Sequence, residues 1–425
     1  MKRVAYPKYK ESGVPWLGEV PEGWEIKAIK WESHVQRGAS PRPIDNPVYF
    51  DDDGDYAWVR ISDVTSAGMY LESTEQTLSD LGSSLSVKMQ PGSLFLSIAG
   101  SVGKPCITKI KCCIHDGFVY FPRWKGDARF LYYIFASGEP YKGLGKMGTQ
   151  LNLNTDTVGG IVLGLPNPTE QIAIADFLDR ETGRIDTLVA KNRTLVDLLK
   201  EKRIALISRT VIRGLPAAAA HEFGLELHTH FKDSGVEWLG EVPEVWEVKQ
   251  LKWSIMFQRG HDLPTEKREE GTIPLVTSAG ISATHSVAAA KGPGIVTGRY
   301  GTIGEFYLVE QDYWPLNTTL YSITTWGNDL VYLCYMLSHL KPLFLLNAVK
   351  SAVPGIDRND IHTTMTTVPP LPEQTTIATY LDLETAKLDK LVEKVEAAVA
   401  RLQEYRMALI TAAVTGKIDV RQEAA

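Results

Sequence analysis

The stretch Tyr9–Gly38 is written again at Phe231–Gly260, with 19 of 30 aligned positions identical and no gap, 222 residues further on. A second stretch, Glu170–Val189, returns as Glu373–Val392 with 11 of 20 positions identical, at an offset of 203. Internal repetition constrains a fold strongly, because each copy has to build the same unit. The chain therefore reads as two halves. Each has a Trp-rich leader, a variable block, a proline-rich break and a long helix. The break is LPNPTEQ at Leu165–Gln171 and VPPLPEQ at Val368–Gln374.

The variable blocks, about 38–165 and 260–368, share only faint echoes, such as LFLSIAGSVGKP from Leu94 against GIVTGRYGTIGEF from Gly294. Both hold short apolar runs bounded by Gly, Pro, Asn and Asp, which predict short strands and turns. ARFLYYIFAS and LVYLCYMLSHL predict short helices. Each block is expected to be an α+β domain.

The segments after the prolines are expected to be helices, with Glu and Gln in a first turn that favours negative charge. Apolar residues then recur at a mean spacing of 3.5. The expected seam is Ile185, Leu188, Asn192, Leu195, Leu199, Lys202 and Leu206, repeated 203 residues later as Leu388, Leu391, Val395, Ala398, Leu402, Tyr405 and Leu409. Such a seam predicts a coiled coil. A helix of about 40 residues would be roughly 60 Å long. The expected fold class is α+β: two globular domains separated by a long antiparallel two-helix coiled coil, with an internal pseudo-two-fold repeat. The boundaries expected are 1–165 for the first domain (leader 9–38), 166–214 for the first helix and 215–230 for a linker. Then come 231–368 for the second domain (leader 231–260), 369–416 for the second helix and 417–425 for a tail. Trp16, Trp24 and Trp31, with their copies Trp238, Trp246 and Trp253, are expected to anchor the leaders, with Pro21 and Pro243 shaping the turn.

Composition narrows the functional classes. With 45 Lys+Arg against 51 Asp+Glu the net charge is −6, which argues against a protein that coats nucleic acid by charge alone. It leaves room for a local basic face. No unbroken apolar run of about eighteen residues occurs, so no membrane span is expected. MKRVAYPKYKESG lacks the apolar core of a secretory signal. Cys106, Cys112, Cys113 and Cys334 form no CxxC pair, so no zinc site is expected, and free thiols fit a reducing cytosol.

Catalytic motifs fail one by one. GSVGKP at Gly100–Pro105 lacks the upstream glycine of a phosphate loop, and Pro105 stands where a Mg²⁺-binding hydroxyl is needed. DNPVY at Asp45–Tyr49 lacks the second proline of the adenine methyltransferase loop. The Glu-x-Lys of Glu25 and Glu247 has no matching upstream aspartate. Neither G-x-S-x-G nor HExxH occurs, and His34, His115, His261 and His285 are dispersed. The chain is not expected to be an enzyme by itself.

The leader YKESGVPWLGEVPEGWEIKAIKW and the block LP…EQ…IA.FLD.ET.RID.L recur around two dissimilar domains. This whole-chain pattern resembles the specificity subunit of type I restriction–modification systems. The resemblance implies two target-recognition domains reading a bipartite, asymmetric double-stranded DNA target. The helices would serve as spacer and docking platform. It implies two adenine-N6 methyltransferase (modification) subunits and restriction/translocase subunits as partners, in a prokaryotic cytoplasm. S-adenosylmethionine, ATP and Mg would belong to those partners, with no cofactor or metal in this chain. The competing expectation is a coiled-coil scaffold with two protein- or glycan-binding heads. It does not explain why the heads diverge while their flanks persist.

Base reading needs a few polar side chains at groove edges. The candidates are four loop groups in each half. The first is Arg37, Ser40 and Arg42, with Arg259, His261, Lys267 and Arg268 in the second half. The second is Ser97, Ser101 and Lys104, with Arg299, Tyr300 and Thr302. The third is Thr149 and Gln150, with Lys350. The fourth is Arg60 and Ser62, with Thr277 and Ser278. Arg37 and Arg259 are repeat copies and so suit phosphate better than bases. Glu170, Gln171, Glu373 and Gln374 are the candidates for partner docking.

Overall fold

In the computed structural model, which describes residues 4–142, 144, 153–348 and 355–421, both leaders build the same hairpin. Tyr9–Glu11 pairs antiparallel with Glu19–Pro21, and Phe231–Asp233 with Glu241–Pro243. The carbonyls of Pro21 and Pro243 then accept from the amides of Trp24 and Trp246 at 2.9 Å, which turns each indole into the interior. Both tryptophans are fully buried.

A buried indole N–H needs an acceptor. It finds one at the start of each long helix: Trp24 Nε1 donates to Glu170 Oε1 at 3.1 Å, and Trp246 Nε1 to Glu373 Oε2 at 2.9 Å. The same carboxylate holds a second group, the donating Tyr6 hydroxyl at 2.6 Å in the first half and His228 Nε2 at 2.6 Å in the second. Burial and the Glu170 bond hold the Tyr6 phenol far above the ordinary tyrosine range. The next residue makes another link. Gln171 Oε1 accepts from the Asp127 amide at 3.1 Å, and Gln374 Oε1 from the Asp329 amide at 3.0 Å. Further along, Tyr133 donates to Asp179 at 2.6 Å and Tyr335 to Asp382 at 2.7 Å.

The glutamates and glutamines expected to dock a partner are thus engaged inside the chain. Glu170, Gln171 and Gln374 are buried, and only 12% of the Glu373 side chain is exposed. A buried carboxylate holding two internal groups has no face for another subunit, so that expectation is corrected.

The first domain, leader included, contains β1 (Glu25–Ala28), β2 (Gln36–Arg37), β3 (Tyr56–Val59), β4 (Leu94–Ser97), β5 (Pro105–Thr108), β6 (Cys112–Ile114), β7 (Phe118–Tyr120), α1 (Ala128–Ala136) and β8 (Val162–Leu165), followed by the long α2 (Pro168–Arg213). The second contains β9 (Glu247–Gln250), β10 (Met256–Arg259), β11 (Ile273–Thr277), β12 (Gly294–Gly298), β13 (Phe306–Val309), β14 (Trp314–Pro315), β15 (Thr319–Thr324), α3 (Leu330–Ala348) and β16 (Met365–Val368), followed by α4 (Leu371–Val414). One sheet runs β2-β7-β4-β5 in the first block and β10-β15-β12-β13 in the second. A second sheet pairs β3 with β6, and β11 with β14, in parallel. The closing strand β8 returns to β1, as β16 does to β9. Blocks with little common sequence therefore share this strand order, to which the first adds Tyr70–Leu71 at the edge of one sheet and Val87–Met89 at the edge of the other. Strands β4 and β12 are buried throughout, which is why they read as unbroken apolar runs. Helix α3 has the length and apolarity of a membrane span, but Tyr332, Leu333, Met336, Leu337, Leu340 and Phe344 lie buried in the core of this block.

The chain divides into two compact units, Met1–Asn192 with Ala398–Ala425, and Arg193–Ala397. Each unit contains one variable block and a stretch of both long helices. The helices run antiparallel: in the first unit Asp186 pairs with Arg406 at 2.8 Å, and in the second Asp389 pairs with Arg203 at 2.9 Å. Adding 203 to Asp186 gives Asp389, and subtracting it from Arg406 gives Arg203, so one ion pair occurs twice. Both helices end on a left-handed glycine, Gly214 at φ 80° and Gly416 at φ 69°.

The seam differs from expectation at alternate positions. Ile185, Leu199, Val395 and Leu409 are buried, and Leu206, Leu388 and Leu402 are partly so. Leu188, Leu195 and Leu391 are more than a third exposed, as are Lys202, Ala398 and Tyr405. The inward places belong to the next residues, Val189, Val196, Val392, Val399, Arg203 and Arg406, all buried or partly buried. Spacings of 3-4 and 4-3 give the same 3.5 average, so Leu188-Val189 and Leu391-Val392 left the phase open. Trp31 and Trp253 are also corrected: both are exposed and anchor nothing in the core.

Val189→Ala should therefore destabilise the protein by about 1–3 kcal/mol through lost burial. Leu188→Ala should stay within about 0.5 kcal/mol. Urea unfolding of the two variants measures this; the reverse order would restore the seam expected from sequence.

Candidate nucleic-acid interface

The first candidate group is held by a turn that belongs to none of the four candidate loops. Between β6 and β7 stand His115, Asp116 and Gly117. Arg37 Nε donates to the Asp116 carbonyl, Ser40 Oγ to Asp116 Oδ1 at 3.2 Å, and Arg42 Nη2 to Asp116 Oδ2 at 2.9 Å. One aspartate thus gathers all three side chains of the group. The backbone comes close here: a Cβ on Gly38 would overlap the His115 carbonyl. The repeated glycine is therefore a packing requirement within the chain. His115 lies against Phe118 and Trp58, and its Nδ1 accepts from the Gly117 amide at 2.8 Å. Burial holds this imidazole below the ordinary histidine range, against the opposing pull of Asp116.

The second and fourth groups meet at Thr65, on the short helix Ile61–Ser66 that begins just after Arg60. Lys104 Nζ donates to the Thr65 carbonyl at 2.7 Å, and the Ser101 and Thr65 hydroxyls lie 3.0 Å apart. The Ile98 amide donates to Gly117 O at 2.8 Å, linking this loop to the aspartate turn. The three described groups of the first block thus form one connected surface. Arg60 pairs with Glu75, and Ser62 is exposed. Ser97 is corrected. It is fully buried, its hydroxyl donating to Ser101 O and accepting from the Lys104 amide, so it shapes the loop and cannot reach a ligand.

The second block repeats the frame with other residues. Its turn is Leu316-Asn317-Thr318, and a Cβ on Gly260 would overlap the Leu316 carbonyl. Val119 pairs with Arg37 and Leu320 with Arg259, so Asn317 occupies the place of Asp116. Asn317 donates to Asp262, and its carbonyl accepts from Arg299 Nη1 at 3.5 Å. Arg259 is exposed, with no ion pair or side-chain hydrogen bond among the described residues. His261 is half-buried against Trp314 and Tyr321, its Nε2 lying 3.1 Å from the Tyr321 hydroxyl. Lys267 and Arg268 are exposed on the following turn. The Arg299 guanidinium stacks 5.1 Å from the Tyr300 ring. Thr302 donates to the Ser278 carbonyl, and Thr277 Oγ1 to Gly280 O at 3.0 Å, joining the second and fourth groups here as well. Thr149, Gln150 and Lys350 lie outside the described residues. The His-Asp-Gly turn signal between two apolar runs was the clue available for the missed Asp116.

A family model for the type I restriction modification DNA specificity domain matches residues 21–195 and 243–399. The type I restriction enzyme MjaIX specificity subunit of Methanocaldococcus jannaschii is 23% identical over 278 residues, covering 63% of this chain. The match spans 60% of the length of that relative. A solved chain from a study of complex assembly and conformational transition in the type I R-M system superposes with TM-score 0.68 at 16% identity, over 93% of this chain and 98% of that one. The HsdS subunit of Thermoanaerobacter tengcongensis superposes with TM-score 0.53 at 15% identity, over 94% and 98%. At these identities the superpositions speak for the fold.

The two turns make a charge prediction. Asp116→Asn should release Arg42, whose partner is the side-chain carboxylate, and raise the salt concentration needed to elute the protein from heparin. Arg259→Ala should lower it, by the loss of about one phosphate-like contact. An Asp116→Asn variant that elutes with the unaltered protein would contradict the clamp.

Proposed function

The chain belongs to the type I restriction modification DNA specificity family, and from that premise we propose that it is the sequence-specific DNA-binding subunit of a type I restriction–modification complex. Its two heads read the two parts of a bipartite, asymmetric target. The observation that carries this reading is one frame with two different faces. The same strands bring the same loops together in both heads, while the side chains on those loops differ, as Asp116 and Asn317 do. A reader of different half-sites needs a common backbone mount and a few variable polar groups.

In this reading the chain has no catalytic activity of its own. Two adenine-N6 methyltransferase subunits bind S-adenosylmethionine and carry out base flipping and transfer. Restriction/translocase subunits use ATP and Mg. The complex acts in a prokaryotic cytoplasm as a defence against foreign DNA. The acidic net charge fits a division of labour in which partners supply most of the backbone contacts. The scaffold alternative is not favoured, because the family match takes in both heads.

The test is a gel shift of the full chain co-expressed with a methyltransferase subunit, against a library of duplexes. One bipartite asymmetric sequence should be retained, typically at least ~10³-fold above random DNA. Exchanging the block 260–368 for that of a relative should change one half-site and leave the other. Equal binding to every duplex would overturn the reading.

A further inference from the structure

Almost every repeated polar or aromatic residue described above has a use inside its own half. Trp31 and Trp253 do not. They are copies of one another, 76% and 57% exposed. Each follows a lysine, and Lys30 Nζ and Lys252 Nζ lie 5.6 and 5.4 Å from the respective ring centroids. Among the described residues neither lysine has a carboxylate partner, whereas the nearby Lys27 and Lys249 are paired with Glu25 and Glu247. In the second half Trp326 adds another exposed indole, 6.5 Å from Trp253, with its Nε1 donating to Lys252 O at 2.9 Å. It is held at φ 52°, left-handed backbone that a bulky side chain rarely adopts.

An exposed indole beside an unpaired ammonium is a strong anchor for a protein partner, since tryptophan dominates interface hot spots. What such an anchor recognises has to be the same for both halves. The bases of the DNA half-sites differ, because the heads differ, and the phosphate backbone they share suits the ammonium but gives the broad apolar face of the indole nothing to cover. Two copies of one partner chain do not. We propose that Trp31 with Lys30, and Trp253 with Lys252, each take one copy of the same methyltransferase subunit. The matching surface on that subunit is an apolar slot rimmed by carboxylate, complementary to the indole and its ammonium. The inference rests on the function proposed above and deepens it by placing the partner's foothold in the leader, in the role first expected of Glu170 and Glu373.

The experiment uses the full chain co-expressed with the methyltransferase subunit, with stoichiometry read by native mass spectrometry and affinity by titration. The unaltered chain should carry two copies. Trp31→Ala and Trp253→Ala should each weaken one copy by at least about tenfold, and the double variant should carry none. Lys30→Glu should weaken the first site alone. Because both indoles are exposed, the urea midpoints should not move, which separates lost docking from lost folding. Retention of two copies at unchanged affinity in all variants overturns the proposal. So does intact assembly with loss of duplex binding, which would make these residues DNA contacts. If the unaltered chain takes up no methyltransferase, the functional reading itself falls, and this inference with it.

Discussion

A carboxylate in the first turn of each long helix, holding a buried tryptophan from the leader, is the interaction on which the rest depends. Burying a carboxylate costs several kcal/mol unless its lone pairs are occupied. Glu170 is served by Trp24 and Tyr6, and Glu373 by Trp246 and His228. The helix N-terminus adds a favourable field. Residues 127 to 164 positions apart are thereby tied at one point, and the variable block between them begins and ends on a defined frame. The glutamine and the tyrosine–aspartate bonds extend the same tie along the helix.

Once the frame is held from outside, the loops are released from holding it. That is the physical basis for two heads with a common strand order and dissimilar surfaces. At the turn after β6, an aspartate gathers Ser40, Arg37 and Arg42. At the matching turn after β14, an asparagine turns to Asp262, and Arg259 has no side-chain partner among the described residues. One changed side chain redistributes the local charge without disturbing the strands, in keeping with the reading proposed above.

Much of this was legible in the residues. The repeat marked the two halves, the apolar runs marked β4 and β12, and the expected helix bounds at 214 and 416 fall on the left-handed glycines that end the helices. Ser97 was misread because a serine in a Gly-rich loop looks exposed, while its hydroxyl in fact closes that loop from within. Glu170 and its neighbours were misread because helix-start polar residues usually face water, and nothing local reveals a buried indole arriving from the leader. The seam was half right, since neighbouring apolar residues satisfy both alternations and only the opposing helix, through Asp186–Arg406 and Asp389–Arg203, selects between them.

The sequence by itself determined the duplication, the helical spacer pattern and the family resemblance, because these live in spacing and identity along the chain. Only the tertiary structure decided which repeated words face inward. Trp24 and Trp31 are seven residues apart and equally repeated, yet one is sealed against a buried carboxylate and the other stands in solvent. Burial is a property of what arrives from elsewhere in the chain, and a one-dimensional pattern does not carry it.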